Sequence, residues 1–315
     1  MKPLVPFVRD VEEGPHPELT AALRSHLPDV DLIEHAEIDP ARLSEATVAI
    51  VDGPSADQLA SLTNLGLVQS TWAGVEAIIP AVPEGVLIAR MVDPRLAVTM
   101  AEAALAWTLY LHRDMPRYAR QQRDRTWLAH PLVHAEDRRV GIAGLGVLGV
   151  AAARVLSDHG FAVAGWARSP KAITGVSCFH GDAGLERLLE RSDIVINLLP
   201  DTDATVATFD AQAFAWMPHG SSLINLGRGP TIDDDALLAA LDSGQLDHAV
   251  LDVFDVEPLP IDHRFWVHDS VTVLPHITGP TTVETAAVIA ASNVRRFLAT
   301  GVVPADALVD RSLGY

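Results

Sequence analysis

Short apolar runs alternate with amphipathic stretches along almost the whole chain. In the first part, apolar runs at 4–8, 30–34, 47–51, 67–70 and 86–89 read as strands, and 17–27 and 56–62 read as helices. The continuous apolar character of these runs fits a small parallel sheet, whose strands are buried on both faces. Residues 96–112 form a strong helix candidate, apolar almost all round, which predicts burial between domains or subunits. A polar, Arg-rich segment follows at 113–125. Six further strands are predicted at 140–143, 162–166, 194–198, 222–226, 249–253 and 271–274, with helices between them at 185–190, 211–217 and 234–241. Six strands with intervening helices give a doubly wound open sheet, with ligands outside the carboxyl ends of the strands. A long amphipathic helix at 282–299 follows and is expected to cross back onto the first sheet. The predicted fold is therefore α/β with two domains. A Rossmann-type sheet (96–279) is inserted into a smaller, discontinuous flavodoxin-like substrate domain (1–95 and 280–315), with the active-site cleft between them.

The strand at 140–143 runs into Gly144-Leu145-Gly146-Val147-Leu148-Gly149 and then an Ala/Val/Leu-rich helix. This strand, glycine turn and helix start bind a dinucleotide for separable reasons. Gly144 permits the tight turn, Gly146 lets the backbone approach a pyrophosphate, and Gly149 allows close helix–strand packing. The helix N-terminus then offers free N–H groups to the phosphates. The second strand ends at Ala167, where an NAD site carries an acid for the ribose 2′-hydroxyl. Arg168, Ser169 and Lys171 follow; the only lysines in the chain are Lys2 and Lys171. An arginine fork, a hydroxyl and a lysine suit a 2′-phosphate, so NADP(H) is inferred, with NAD(H) as the alternative.

With 315 residues, 49% of them hydrophobic, the chain can bury a full core. No apolar run is long enough to span a membrane, and the N-terminus lacks the pattern of a signal peptide. Cys178 is the only cysteine, so no disulfide framework is expected and a reducing cytoplasm is the simplest setting. A formal net charge of −18 opposes nucleic acid and anionic membranes as partners. His130 and His134 have the spacing of a helical metal pair, but Pro131 between them favours a surface loop and no metal site is predicted.

Three polar residues fall at predicted strand ends of the larger sheet: Arg228, Glu257 and His276. Together they suit hydride transfer to a 2-oxo acid. Arg228 offers a bidentate cation for the carboxylate. A protonated His276 can give a proton to the developing alkoxide. Glu257, nineteen positions before it, would fix its tautomer and raise its pKa. In the first domain, the loop Ser70-Thr71-Trp72-Ala73-Gly74-Val75-Glu76 follows a strand and can turn backbone N–H groups toward a ligand, or be an ordinary turn.

These segments, taken with Leu199-Pro200-Asp201-Thr202, Asn225-Leu226-Gly227-Arg228-Gly229, Asp252-Val253-Phe254 with Glu257-Pro258-Leu259, and Pro275-His276, resemble the D-isomer-specific 2-hydroxyacid dehydrogenases. The resemblance runs over nearly the whole chain. It implies Arg228, Glu257 and His276 as the catalytic set, and substrate binding by Arg228 and the loop Trp72, Ala73, Gly74 and Val75. It also implies cofactor contacts from Gly144, Gly146, Val147, Leu148, Gly149, Ala167, Arg168, Ser169, Lys171, Leu199, Pro200, Thr205, Leu226, Gly227, Asp252, His276 and Gly279. Within the family, Trp166-Ala167-Arg168-Ser169 and the compact length look like the NADPH-preferring glyoxylate/hydroxypyruvate reductases. That branch implies small 2-oxo acids reduced to D-2-hydroxy acids, and a homodimer formed through the cofactor domain, including residues 100–135.

Two departures stand out. Gly227 replaces a common Ala before the arginine and is expected to add backbone freedom with small effect. Trp72 lies where small residues are common and is expected to narrow or reshape the pocket, along with residues 51–54 and the helix after Met91. Glu257 argues against the formate dehydrogenase branch, which carries Gln there. Two alternatives remain: an NAD(H)-dependent dehydrogenase of other substrate range, and a dinucleotide-sensing, corepressor-like interaction protein. The latter is expected to carry a partner-binding extension and an NAD-type acid.

Overall fold

The computed structural model describes residues 2–9, 16–53 and 55–314. Pro54, expected to help size the pocket, lies outside the described residues. The chain forms two compact units, Met1–Pro94 with Thr281–Tyr315, and Arg95–Pro280.

The first unit is built on β1 (Leu4–Arg9), β2 (Asp31–Glu34), β3 (Val48–Asp52), β4 (Leu67–Ser70) and β5 (Leu87–Ala89), with α1 (Pro17–His26) and α2 (Ala56–Ala60). All its strand pairs are parallel, in the order β2-β1-β3-β4-β5, which is the flavodoxin-like order. The apolar runs become central strands because both faces are covered: Val5, Phe7, Val48 and Ile50 are all buried. The last helix, Val283–Thr300, lies against α1 and β4. Its buried stripe, Ala286, Ala287, Ala290, Ala291 and Val294, is mostly alanine, which allows close approach. The one polar residue in that stripe, Asn293, donates from Nδ2 to Gln69 Oε1 on β4 at 2.9 Å, so both buried amides are engaged.

The second unit carries α3 (Pro94–His112), α4 (Met115–Arg123), β6 (Arg139–Ala143), α5 (Val147–Asp158), β7 (Ala162–Ala167), β8 (Ser177–His180), α6 (Asp182–Leu189), β9 (Ile194–Asn197), α7 (Ala211–Trp216), β10 (Ser221–Asn225), α8 (Asp234–Asp242), β11 (Leu246–Leu251) and β12 (Val271–Val273). The parallel sheet runs β12-β11-β10-β9-β6-β7-β8. Strand order reverses at β6, the switch point where a doubly wound sheet opens a ligand crevice.

One sequence expectation is corrected. The sheet has seven strands and not six, because Ser177–His180 adds an edge strand beside β7. Its mixed, half-exposed residues carry no continuous apolar run. The polar segment at 113–125 holds α4, whose Arg123 Nη2 lies 2.7 Å from Asp269 Oδ1 in an exposed ion pair. On α3, one side is buried within this chain. Met100, Ala101, Ala104, Thr108 and Leu111 face the core, whereas Val98 and Leu109 are exposed.

Candidate active site

The glycine turn is shaped by contacts that only glycine permits. Gly144 has φ +106°, and a Cβ there would meet Leu198 O at 2.7 Å. A Cβ on Gly149 would lie 1.9 Å from Gly144 O, so α5 can sit this close to its strand only without a side chain there. The turn is drawn onto β7 by Gly144 N and Leu145 N, which both donate to Trp166 O at 2.9 and 3.1 Å. Gly146 differs: a Cβ there meets no atom within 4 Å. It is also the N-cap of α5, with no side-chain cap for the first turn. Donors left without a cap, beside a cradle that a Cβ would fill, fit a pyrophosphate. Val147 is exposed at this helix start, and Leu148 is half-buried. Beyond β7, buried Ala167 gives way to exposed Arg168, Ser169 and Lys171.

The loops after β9 and β10 are locked together by buried amides. Asn197 Nδ2 donates to Asn225 Oδ1 at 2.9 Å and to Thr231 Oγ1 at 2.6 Å, while Asn197 Oδ1 accepts from Leu199 N at 3.1 Å. Asn225 Oδ1 also accepts from Gly227 N at 3.1 Å, and its Nδ2 donates to Arg228 O at 3.2 Å. Thr231 Oγ1 donates to the same carbonyl at 2.6 Å. The Arg228 guanidinium turns back, with Nη1 donating to Gly227 O at 2.8 Å. Thr205 ties the Pro200 loop, donating to Pro200 O at 2.6 Å and accepting from Thr202 N at 2.9 Å. Leu199 and Leu226 are buried and Pro200 half-buried. Gly227 is corrected: it is not a site of spare freedom, since a Cβ there would meet Leu199 O at 2.7 Å and Leu199 N at 2.9 Å.

Glu257 and His276 form a carboxylate–imidazole pair, with Oε2 2.7 Å from Nδ1. This leaves His276 Nε2 as the nitrogen available for proton transfer. Glu257 Oε1 accepts from Phe254 N at 2.9 Å, which holds the carboxylate from its other side. His276 occupies the left-handed region at φ +50°, a costly conformation for a non-glycine residue. Asp252 holds it there. Its carbonyl accepts from His276 N at 2.9 Å, and its carboxylate accepts from Ile277 N and Thr278 N at 2.8 and 3.0 Å. Asp252 is 1% exposed with both carboxylate oxygens engaged, so it braces the His276 loop. Gly279 is closely packed, since a Cβ there would meet Leu96 and Met100 at 2.8 Å.

The hydrogen bond from Glu257 raises the His276 pKa above the ordinary imidazole value, against the opposing effect of burial. Burial pushes Glu257 upward. The bonds from His276 and Phe254 N, with the charges of His276 and Arg228, outweigh it and leave the carboxyl below its ordinary range.

The loop after β4 belongs to the first unit. Thr71 Oγ1 and Trp72 Nε1 both donate to Asp52 Oδ1, at 2.6 and 3.0 Å. The Trp72 ring packs against the apolar cluster containing Ile78 and Val82. The Trp72 indole is thus anchored at both its polar and apolar sides. Among the described residues, the N–H groups of Ala73, Gly74 and Val75 donate to no group within the chain.

Sequence reading passed over Asn197 and Thr231, and took in Asp52 only as part of the 51–54 stretch. The available signal was a polar residue closing an otherwise apolar strand, as in Ile-Val-Ile-Asn at 194–197. His130 sits outside any helix or strand, with Nε2 3.1 Å from Gln121 Oε1.

A doubly wound sheet with this glycine cradle, and an arginine and a carboxylate-backed histidine at its strand ends, defines a dinucleotide-dependent oxidoreductase. The family model for the D-isomer specific 2-hydroxyacid dehydrogenase, NAD binding domain, matches residues 105–278. The chain is 36% identical to glyoxylate/hydroxypyruvate reductase A of Photorhabdus laumondii, over 95% of this chain and 98% of that one. Among solved structures it resembles a D-isomer specific 2-hydroxyacid dehydrogenase from Xanthobacter autotrophicus in complex with NADPH and MES (38% identity, TM-score 0.89, 98% and 99% of the two chains covered). It also resembles an NADPH-dependent glyoxylate/hydroxypyruvate reductase from Sinorhizobium meliloti in complex with NADP and sulfate (33% identity, TM-score 0.87, both chains fully covered). This chain belongs to the D-isomer-specific 2-hydroxyacid dehydrogenases.

Proposed function

We infer that the protein reduces small 2-oxo acids with NADPH, glyoxylate to the achiral glycolate and hydroxypyruvate and larger acids to 2-hydroxy acids of D configuration. The observation that carries this is the 2.7 Å Glu257–His276 pair, on the sheet edge that also carries Arg228. NADPH, when bound, supplies a hydride to the carbonyl carbon. The chain's own residues do the rest. Arg228 takes the substrate carboxylate through its guanidinium. His276 Nε2 gives its proton to the carbonyl oxygen, completing the hydroxyl group. Glu257 holds the ring in the protonated form and stabilises the imidazolium until it is released.

The names of the NADPH-bound and NADP-bound relatives support NADP(H) as the cofactor. So does the Arg168-Ser169-Pro170-Lys171 turn without a carboxylate. We assign the Gly144–Gly149 turn to the pyrophosphate, and Arg168, Ser169 and Lys171 to the 2′-phosphate. We also assign the substrate role to the first unit and the cofactor role to the second. A homodimer through the cofactor unit is supported by Trp127, Leu128 and Leu132, exposed at 102%, 58% and 63% beside one another in sequence. Such an apolar patch marks an interaction surface. A reducing compartment, the cytoplasm, suits the lone Cys178.

The direct test is loss of NADPH absorbance with glyoxylate, hydroxypyruvate, pyruvate and phenylpyruvate, repeated with NADH. Turnover of the two smallest hydrophilic acids with NADPH is expected. Tight NADPH binding without turnover of any acid would overturn the reading and favour a sensing role.

A further inference from the structure

Arg228 is the least self-sufficient member of the site. Its guanidinium is oriented by Gly227 O, and its own carbonyl accepts from two side chains, Asn225 Nδ2 and Thr231 Oγ1. Gly227 N is in turn held by Asn225 Oδ1. The bonds to the Arg228 carbonyl and to Gly227 N come from Asn225 and Thr231, and one side chain, Asn197, donates to both. Through Oδ1, Asn197 also holds Leu199 N, the start of the Leu199-Pro200 loop. These three side chains are at most 1% exposed, so no water competes for the bonds.

We propose that Asn197 and Thr231 are positioning residues that set the Arg228 guanidinium for the substrate carboxylate, and that Asn197 couples this setting to the Leu199-Pro200 cofactor loop. The proposal rests on the reading of Arg228 as the carboxylate clamp. The network does not serve to align the strands. Asn197 and Asn225 already sit in the backbone ladder between β9 and β10. Buried neutral hydrogen bonds add little net stability, so these amides are poor glue. They are good at excluding alternatives, because each donor and acceptor is satisfied in one arrangement only. Asn197 Nδ2 has two acceptors, Asn225 Oδ1 has two donors, and Thr231 Oγ1 both donates and accepts. Turning the Arg228 peptide would break two bonds at its carbonyl. The close fit of Gly229 against the Phe254–Asp255 backbone, where a Cβ would lie within 1.9 Å, blocks compensating movement on the other side.

The test uses the full chain and two variants, Thr231→Val and Asn197→Asp. Thr231→Val keeps the side-chain shape but loses both hydroxyl bonds. Asn197→Asp replaces the double donor with an acceptor. Thr231→Val is expected to raise the KM for glyoxylate about tenfold, the size of one lost hydrogen bond. Its NADPH Kd and the pH at which kcat/KM declines should stay at wild-type values. Asn197→Asp is expected to raise the glyoxylate KM and the NADPH Kd together, each about tenfold. In an Arg228→Gln background, Thr231→Val should cause no further loss of oxalate binding to the NADPH complex, because it acts through Arg228.

A folded Thr231→Val variant with unchanged glyoxylate KM would overturn the proposal while leaving the proposed activity standing. So would a full additional loss in the Arg228→Gln background, which is the mark of a structural defect alone. If Asn197→Asp fails to fold, Thr231→Val decides the matter. Absence of wild-type turnover with any 2-oxo acid would overturn both the activity and the positioning role.

Discussion

At the residue scale, Glu257 and His276 link the chemistry to pH. His276 titrates above the ordinary imidazole value because Glu257 accepts from it. Reduction needs the protonated ring, so kcat/KM for glyoxylate should hold at low and neutral pH and fall as pH rises through that raised value. Glu257→Gln removes the principal cause of the shift and should move the decline to lower pH, read from a kcat/KM–pH profile. An unmoved profile would show that Glu257 does not set the titration. Stability follows the same pair. The raised histidine contributes stability below its unfolded pKa and loses it as pH rises through the folded value. The lowered glutamate contributes above its unfolded pKa and loses it as pH falls through the folded value. Their single interaction is therefore strongest between the two, and Glu257→Gln should lower Tm most around pH 6, and least at either extreme. A second residue-scale expectation concerns Arg168. Arg168→Asp should raise the KM for NADPH by about a hundredfold, as expected for a lost charge-assisted phosphate contact and a new repulsion, and leave that for NADH nearly unchanged. Equal changes for both would remove the 2′-phosphate assignment.

Elements place these residues. Two glycines five and two positions into the fingerprint separate packing from binding. Gly149→Ala pushes a methyl group into the Gly144 carbonyl, where 1.9 Å is available. It should destabilise the protein by about 1–3 kcal/mol through overpacking, read as a lower denaturant midpoint. Gly146→Ala meets no protein atom. It should unfold at the wild-type midpoint yet bind NADPH at least about tenfold more weakly, because the methyl group occupies the space kept for the pyrophosphate. Wild-type NADPH affinity in a folded Gly146→Ala protein would place the phosphates elsewhere. Much of this scale was legible. The apolar runs at 4–8, 48–51, 140–143 and 194–197 became buried parallel strands because a doubly wound sheet covers both faces. The strand Ser177–His180 was not legible, because an edge strand with one open side needs no apolar run. Nor was α4, a polar helix with the exposed Arg123–Asp269 ion pair and a proline in its first turn.

For the molecule as a whole, the exposed apolar segment around Trp127, Leu128 and Leu132 is the feature that a single chain leaves unexplained. Light scattering should give twice the chain mass of 33.7 kDa. The double variant Trp127→Asp with Leu132→Asp should shift it toward a single chain. A wild-type protein that stays monomeric at micromolar concentration would exclude the dimer. The strong negative charge shapes binding too. At a formal −18, the Arg168–Lys171 turn and Arg228 are local exceptions in an acidic protein. An anionic cofactor and an anionic acid are then drawn to a few sites and not to the surface at large.

By itself, the sequence determined the elements whose cause is local: strands from apolar runs, the tight turn from glycine spacing, and a strand end without an acid, on which the proposal of NADP(H) rests. It also placed Arg228, Glu257 and His276 on one edge, since strand ends follow from strand pattern. What only the tertiary structure decided are distances across chain segments. Asn197 meets Thr231 thirty-four residues away. Asp252 braces a strained His276, Gly227 faces the Leu199 backbone, and Trp72 is anchored on Asp52. Hydrogen bonds and close packing act over a few ångströms between residues remote in sequence, so periodicity and motif spacing carry no signal for them.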